Sequence, residues 1–437
     1  MQGHRNRWGR AALALLLPLV LVGAACAGDD DDSGDASTDT GADGDLAGTT
    51  VTIFGPEVEG EAQGFLDSFA DFEEETGIDV QYQGDRSFEE QIGVRVDGGD
   101  PPDIAMFPQP GKIRDFAEEL VPLSDDVAAT VTDSFDAGWT DLVTIDGDVY
   151  GVPAKADLKS LVWYSPAAFE EAGYEIPTTF EDFIALTDTM MADGKTPMCI
   201  GLGSDAATGW PFTDWVEDMM LRLKGPEVYD QWVNHEIPFN DPDVVEVGEY
   251  VRELWSQPGF VYGGLQNVAA TPFADAGLPL LDGDCMLHRQ GNFYAANWPD
   301  GTEIGTDGAV NAFYLPGSTE HPNITLSGGI YAAAFSDRPE VEAAMAFLAS
   351  TDYSDTRAPV GGFLSPNKDA DASLYPTEIE QSFAEILTAA DPVRFDASDQ
   401  MPGAVGSGSF WTAAVDITTG AKTVQAAFDA VEASWPG

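Results

Sequence analysis

The chain has 437 residues and carries 76 Asp and Glu against 19 Lys and Arg, a formal net charge of −57. Carboxylates spread in this way repel phosphates, which argues against nucleic acid and against an anionic solute as partner. A solvated acidic surface is the simplest use for most of them. With three cysteines, no CxxC pair, and His235, His288 and His321 far apart, a zinc site or a histidine triad has little material, and no cofactor is expected.

The first 25 residues read as an export signal. Arg5, Arg7 and Arg10 precede an apolar stretch over residues 11–22, broken by Pro18 and too short to span a bilayer. It ends in Gly23-Ala24-Ala25-Cys26, similar to a bacterial lipobox, although Gly23 stands where Leu is usual. Cys26 is then the lipidated new N-terminus; the alternative is an ordinary secretory signal with an incidental cysteine. Residues 26–49 are Asp, Gly, Ser, Thr and Ala with little else, a solvated tether that cannot bury apolar surface. With Cys26 assigned to lipid, Cys199 and Cys285 remain, and an even pair in an exported protein reads as a disulfide.

From residue 51 the pattern alternates. A strand at 51–54 ends at Gly55-Pro56, and Ala62, Phe65, Leu66, Phe69 and Phe72 predict one helix closed by Gly77. A strand at 78–82, a helix at 88–96, a strand at 102–107 and a helix at 112–119 follow. Strand–helix repetition is the pattern of a parallel sheet, whose ligands sit beyond the carboxyl ends of the strands, here residues 55–61 and 107–111. Asp146-Gly147 marks a hairpin turn.

Residues 151–164, GVPAKADLKSLVWY, are pivotal. The first half alternates apolar residues with Lys155, Asp157 and Lys159, predicting a strand with one charged, wet face. Leu161 to Tyr164 then form a continuous apolar run, as in a strand buried on both faces. Either one edge strand runs into one core, or the chain leaves one packed body and enters another.

Beyond it, Ser165-Pro166 starts a helix closed by Gly173, and Thr179 caps a helix over 180–192. Strands are expected at 199–202, 285–288, 311–315 and 324–334. Helices are expected at 210–223, 244–255, 340–350, 377–389 and 410–431.

Four stretches carry a resemblance: Pro102-Asp103-Ile104; Asp157 with Ser160-Leu161-Val162-Trp163-Tyr164; residues 207–215, ATGWPFTDW; and Met401-Pro402 with Phe410-Trp411. Together they resemble extracellular solute-binding proteins of carbohydrate ABC importers, the class that includes maltose-binding protein, and most of all its α-glucoside-binding branch. Residues near Cys199 and Cys285 are similar to that branch too, where the two cysteines are expected to pair. The resemblance implies an α/β, two-lobe, class II periplasmic-binding-protein-like fold, with hinge crossings and a ligand cleft between lobes. It places one lobe at 50–153 plus about 316–362 and the other at 160–310 plus about 367–437, with crossings near 152–159, 311–316 and 362–367. It implies a monomer, lipid-anchored at the outer face of the membrane. Such a protein captures a neutral oligosaccharide by lobe closure and passes it to a membrane permease.

A neutral sugar needs acceptors for its hydroxyls and rings for its C–H faces, so acids and aromatics are the expected lining. The resemblance puts Asp157, Asp205 and Trp411 there, with Met401 beside the last. For Asp157 a salt bridge to Lys155 or Lys159 is the competing use; for Asp205, a turn; for Trp411, a core position. Gln109 follows the third strand and can reach a hydroxyl with its amide; simple solvent exposure is the competing reading. Glu57 stands with Glu59 and Glu61 in the first strand's loop, where helix-start acids are a sufficient explanation. Arg289, Asn292, Phe293 and Trp210 complete the set. An exported glycoside hydrolase, which needs two carboxylates across a cleft, is the alternative of another class; the same fold holding a non-sugar solute is the third.

Overall fold

A computed structural model describes residues 46–389 and 393–436; Cys26, the leader and the tether lie outside them. Among the described residues the strands are β1 (Thr50–Gly55), β2 (Asp79–Gly84), β3 (Ile104–Phe107), β4 (Thr144–Ile145), β5 (Asp148–Val149), β6 (Gly151–Leu158), β7 (Leu161–Tyr164), β8 (Leu287–Arg289), β9 (Asn311–Tyr314), β10 (Thr325–Ala334) and β11 (Val393–Phe395). The large sheet runs β11-β10-β3-β1-β2, with β6 also paired to β10. β1 is parallel to β2 and β3, while β10 runs antiparallel to β3 and β6. A second sheet has the order β8-β7-β9, all antiparallel neighbours.

The pivotal run is two strands in two sheets. β6 belongs to the large sheet and β7 to the small one. The join is Ser160, whose hydroxyl donates to Asp218 Oδ1 at 2.8 Å and accepts from the Leu326 amide at 2.9 Å. β7 is buried on both faces, as the apolar run predicts. Val162 packs into a cluster with Phe212, Trp215 and Trp255, whereas Leu161 and Trp163 join one with Tyr294 and Trp298. The expectation of a wet face on β6 is corrected: all eight of its residues are buried. Its charges are paired instead of hydrated, Lys155 with Glu57 at 2.7 Å and Lys159 with Asp396 at 2.5 Å.

Other expectations change for local reasons. The single helix over 62–72 is two helices, α1 (Glu59–Asp67) and α2 (Ala70–Thr76), interrupted where the Ser68 hydroxyl turns back onto the Phe65 carbonyl. α3 (Phe88–Asp97) and α4 (Pro110–Asp115) start close to their predicted positions. Residues 199–202 form no strand. Their amides go to three different segments: Cys199 to the Leu287 carbonyl, Leu202 to Val268, and the flanking Met198 to Phe260. The long helix expected over 410–431 breaks at Gly420, which has φ +76°, into Trp411–Thr418 and Val424–Glu432. The chain passes between the sheets at 158–161, between β9 and β10, and after β11, where Ala397 enters the cluster of Phe212, Trp215 and Trp255. Residues 364 and 367, expected within a crossing, bridge to Ala156 and Phe135. A disulfide joins Cys199 to Cys285.

Candidate functional site

The loops at the carboxyl ends of β1 and β3 meet the start of the Trp210–Lys224 helix and the Asp396–Trp411 segment around a cavity of about 130 Å³. Glu57, Gln109, Asp157, Trp210, Phe293 and Trp411 line it. The approach is close enough to demand glycine in two places. A Cβ on Gly111 would lie 2.1 Å from the Met401 carbonyl oxygen, so only glycine lets the start of α4 touch that segment. Gly209 has φ +126°, and a Cβ there would lie 2.5 Å from the Trp411 carbonyl oxygen, so the turn that sets Trp210 beside Trp411 also needs glycine.

Four proposed ligand residues are elsewhere, each with other work. Asp205 is exposed on a short turn at φ +47°, next to Ser204 and Ala207, which do line the cavity. Asn292 is buried, and its Oδ1 accepts the Leu158 amide at 2.7 Å, closing the end of β6. Arg289 is buried against Asp218 at 2.7 Å and Asp214 at 3.4 Å, because acids in the core require a cation. The Met401 side chain fills the core, 1% exposed. Of the three loop glutamates, Glu57 and Glu61 reach the cavity and Glu59 is exposed.

The sequence reading missed Arg86, Glu89, Phe273, Ser398 and Asp399, which all line the cavity. Glu89 sits in the first turn of α3, where an acid is unremarkable. Asp214 lies inside the motif that carried the resemblance, but with no feature marking it from its neighbours.

Three aromatic rings form one wall. Trp210 is 5.0 Å from Phe273 and 5.9 Å from Phe293, centre to centre. Each ring also has a protein cation near its face: Lys159 over Trp210 at 5.8 Å, Lys155 over Phe293 at 5.7 Å and Arg86 over Phe273 at 4.9 Å. The cations are held by acids, Arg86 by Glu61 at 2.8 Å and Lys155 by Glu57. Burial disfavours the charge of Lys155, yet Asp157, Glu57 and Glu61 outweigh it and raise its pKa.

Four buried polar atoms of the lining have no hydrogen-bond partner: Asp157 Oδ1, Gln109 Oε1, Glu89 Oε2 and Trp411 Nε1. Asp157 has its competing use as well, an ion pair with Lys155 Nζ at 3.6 Å, but at that distance its Oδ1 is left without a hydrogen bond. Burial pushes the carboxyls of Asp157 and Glu89 up, the lysines and a bond from Gln109 opposing it. Gln109 Nε2 donates to Glu89 Oε1 at 3.2 Å, which leaves the two remaining oxygens unpaired.

Under this wall Asp214, Glu217 and Asp396 bring carboxylate oxygens within 4.8 Å of one another, a spacing that could hold a metal ion. The cation standing there is Lys159, 3.0 Å from Asp214 and 2.5 Å from Asp396. Burial pushes Asp214 up to about 7, against the pull of Lys159. For Asp396 burial pushes up as well, but Lys159 and hydrogen bonds win and hold it at about 2.

A two-sheet α/β body with a small, ring-walled, polar cavity where the sheets meet is the design of a solute receptor. Residues 55–350 match the bacterial extracellular solute-binding protein family, and the chain belongs to it. It is 44% identical over 403 residues to the osmoprotective compounds-binding protein GgtB of Synechocystis sp., covering 91% of this chain and 94% of that one. It is 41% identical over 409 residues to the alpha-glucosides-binding periplasmic protein AglE of Rhizobium meliloti, covering 89% of each. Among solved structures it is similar to the bacterial solute receptor AcbH, with TM-score 0.76 and 18% identity over 88% of this chain and 98% of that one. Maltose-bound MalE3 of T. maritima gives TM-score 0.69 at 18% identity, with the same coverage. The fold is therefore the two-lobe class II binding-protein fold.

Proposed function

We propose that this protein is the solute-binding component of an ABC importer and that its ligand is a small neutral glycoside of the α-glucoside type. The observation that carries this is the set of four unpartnered polar atoms around a ring-walled cavity. Hydroxyls meet such atoms from a ligand's edge while its C–H faces lie on Trp210, Phe293 and Trp411. The acids disfavour an anion, and the rings that would attract a cationic ligand already carry Arg86, Lys155 and Lys159. Two relatives are named for binding osmoprotective compounds and alpha-glucosides, and the second name agrees with a glycoside ligand.

Each unpaired buried atom costs roughly 1–3 kcal/mol, so four of them amount to several kcal/mol that a ligand recovers only when both lobes face it. That is comparable with the ~8 kcal/mol of a micromolar affinity, and it is the differential that drives lobe closure. We assign one lobe to the large sheet and the other to residues 160–316 with 396–436. Cys26 anchors the protein at the outer membrane face through lipid, a monomer on its tether, and the closed form docks on the permease. The protein captures its ligand and does not cleave it. A thermal-shift screen of maltose, trehalose and sucrose, with product analysis, tests this: at least one should raise the melting temperature and return unchanged. Glucose release would favour a hydrolase, and no shift with any neutral glycoside would refute the reading.

A further inference from the structure

The three passages of chain between the sheets converge on one side chain. Lys159 lies in the first passage, and its amide donates to the Leu326 carbonyl at 2.9 Å, where the second passage enters β10. Its Nζ donates to Asp396 Oδ2 at 2.5 Å, in the third passage directly after β11. The same Nζ donates to Asp214 Oδ1 at 3.0 Å, on the Trp210–Lys224 helix. The lysine stem crosses β10 at Gly328. A Cβ there would lie 2.5 Å from Lys159 Cε, and the next two nearest atoms are Lys159 Nζ and Cδ. The passages are also tied to one another. The Asp396 amide donates to the Ser327 carbonyl at 2.7 Å, and the Ser327 hydroxyl donates to the Asp157 carbonyl at 3.0 Å. The second oxygen of Asp396 accepts the Ser398 hydroxyl at 2.8 Å and the Asp399 amide at 2.9 Å, which fixes that acid in place.

Lys159 is 7% exposed, and a buried ammonium stripped of a carboxylate is left uncompensated. A rotation that pulled it off either acid is therefore opposed. The outer contacts across the cleft are of another kind. Arg86 lies over the Phe273 ring at 4.9 Å, but it keeps Glu61 at 2.8 Å if the ring withdraws. Gly111 meets the Met401 carbonyl by close approach of backbone to backbone. Both contacts can part without stranding a charge.

We propose that Lys159 is the pivot of lobe closure. The lobes turn about it with its bonds to Asp214 and Asp396 kept in the open and the closed form, while the cleft parts at Arg86–Phe273 and Gly111–Met401. The inference rests on the two-lobe capture proposed above. Lys159 Nζ also stands 5.8 Å from the centre of the Trp210 ring at the cavity wall, so the seat of the pivot sets where that ring meets the ligand. Lys159 is thus a positioning residue that couples the cavity to all three crossings.

Gly328→Ala tests this without removing a charge, because the new methyl meets the Lys159 stem and displaces it. Spin labels on the exposed Val94 in α3 and the exposed Ile176 beyond the Pro166–Ala172 helix read the lobe separation by pulsed electron resonance. The full chain is used, with Cys26→Ser and the Cys199–Cys285 bridge kept. With whichever of maltose, trehalose and sucrose binds, this parent should show one narrow distance without sugar and another with it. Gly328→Ala should shift the sugar-bound distance and weaken binding about tenfold by calorimetry, the scale of one misplaced polar contact. Lys159→Met, which keeps the stem and removes the ammonium, should broaden the sugar-free distances. Parent distances in Gly328→Ala, whatever its melting temperature or affinity, overturn the proposal and leave Lys159 a structural ion pair; this variant decides even if Lys159→Met does not fold. Sugar binding to the parent without a change of distance also overturns the pivot, and leaves the ligand reading standing. A parent that binds none of the three sugars overturns the capture reading itself and this inference with it.

Discussion

Replacing Asp157 by alanine isolates the cavity's central acceptor. Its Oδ1 has no hydrogen-bond partner within the protein, and Lys155, its ion-pair partner at 3.6 Å, keeps Glu57 at 2.7 Å when Asp157 is gone. The variant therefore leaves no buried charge unpaired, and burial already works against the ionised carboxyl. Stability without ligand should change by less than about 1 kcal/mol, in either direction. Binding should change much more. A hydrogen bond to a charged group is worth roughly 1.5–3 kcal/mol, which is about a 10- to 150-fold loss of affinity. Calorimetric titration against the wild type reads the affinity, and thermal unfolding without sugar reads the stability. Unchanged affinity would refute the assignment of Asp157 to the ligand, and a collapse of the fold would show that the Lys155 pairing is its real use.

Trp411→Phe should keep the ring surface but lose the Nε1 donor, weakening binding about 5- to 10-fold, whereas Trp411→Ala should weaken it beyond that; equal affinities for both variants would contradict the donor role. Gly209→Ala should lower both melting temperature and affinity, because φ +126° and a Cβ 2.5 Å from the Trp411 carbonyl oxygen leave no room for a side chain. Removing the Cys199–Cys285 bridge as a double alanine variant should cost about 4–5 kcal/mol, given the 86-residue separation, and an unchanged denaturant midpoint would contradict that. Asp214, raised from 3.8 to about 7, holds its proton longer folded than unfolded. Its contribution is complete below about pH 4 and drains away as pH rises through 7, so Asp214→Asn should flatten stability over that window. Asp396, depressed to about 2, acts in the opposite sense and withdraws stability as pH falls from about 4 to 2.

The sequence was informative where periodicity or chemistry is local. The Thr179-capped helix over residues 180–192 and the Ser165-Pro166 start each rest on a capping hydroxyl within three residues, and both form as read. The run over 151–164 showed a change of character, and the structure explains it as a change of sheet at Ser160. What was not legible depends on distant partners. Lys155 and Glu57 are 98 positions apart, and Lys159 and Asp396 are 237 apart, so an alternating charged strand looked wet when its charges are paired indoors. Arg289 and Asn292 follow Cys285 and were expected in the ligand set, yet they serve a buried acid and a strand end. Glu89 and Asp399 gave no local sign, because an acid in a helix's first turn is the ordinary case.

Uptake of one neutral glycoside by the ring-walled cavity is the property on which the proposed function stands or falls. Calorimetric titration of the wild-type protein with maltose, trehalose and sucrose measures it most directly. Saturable binding of at least one of them at a ratio of one to one, with the sugar recovered intact, is the expected result. Heat only from charged solutes, or none from any neutral glycoside, would contradict it.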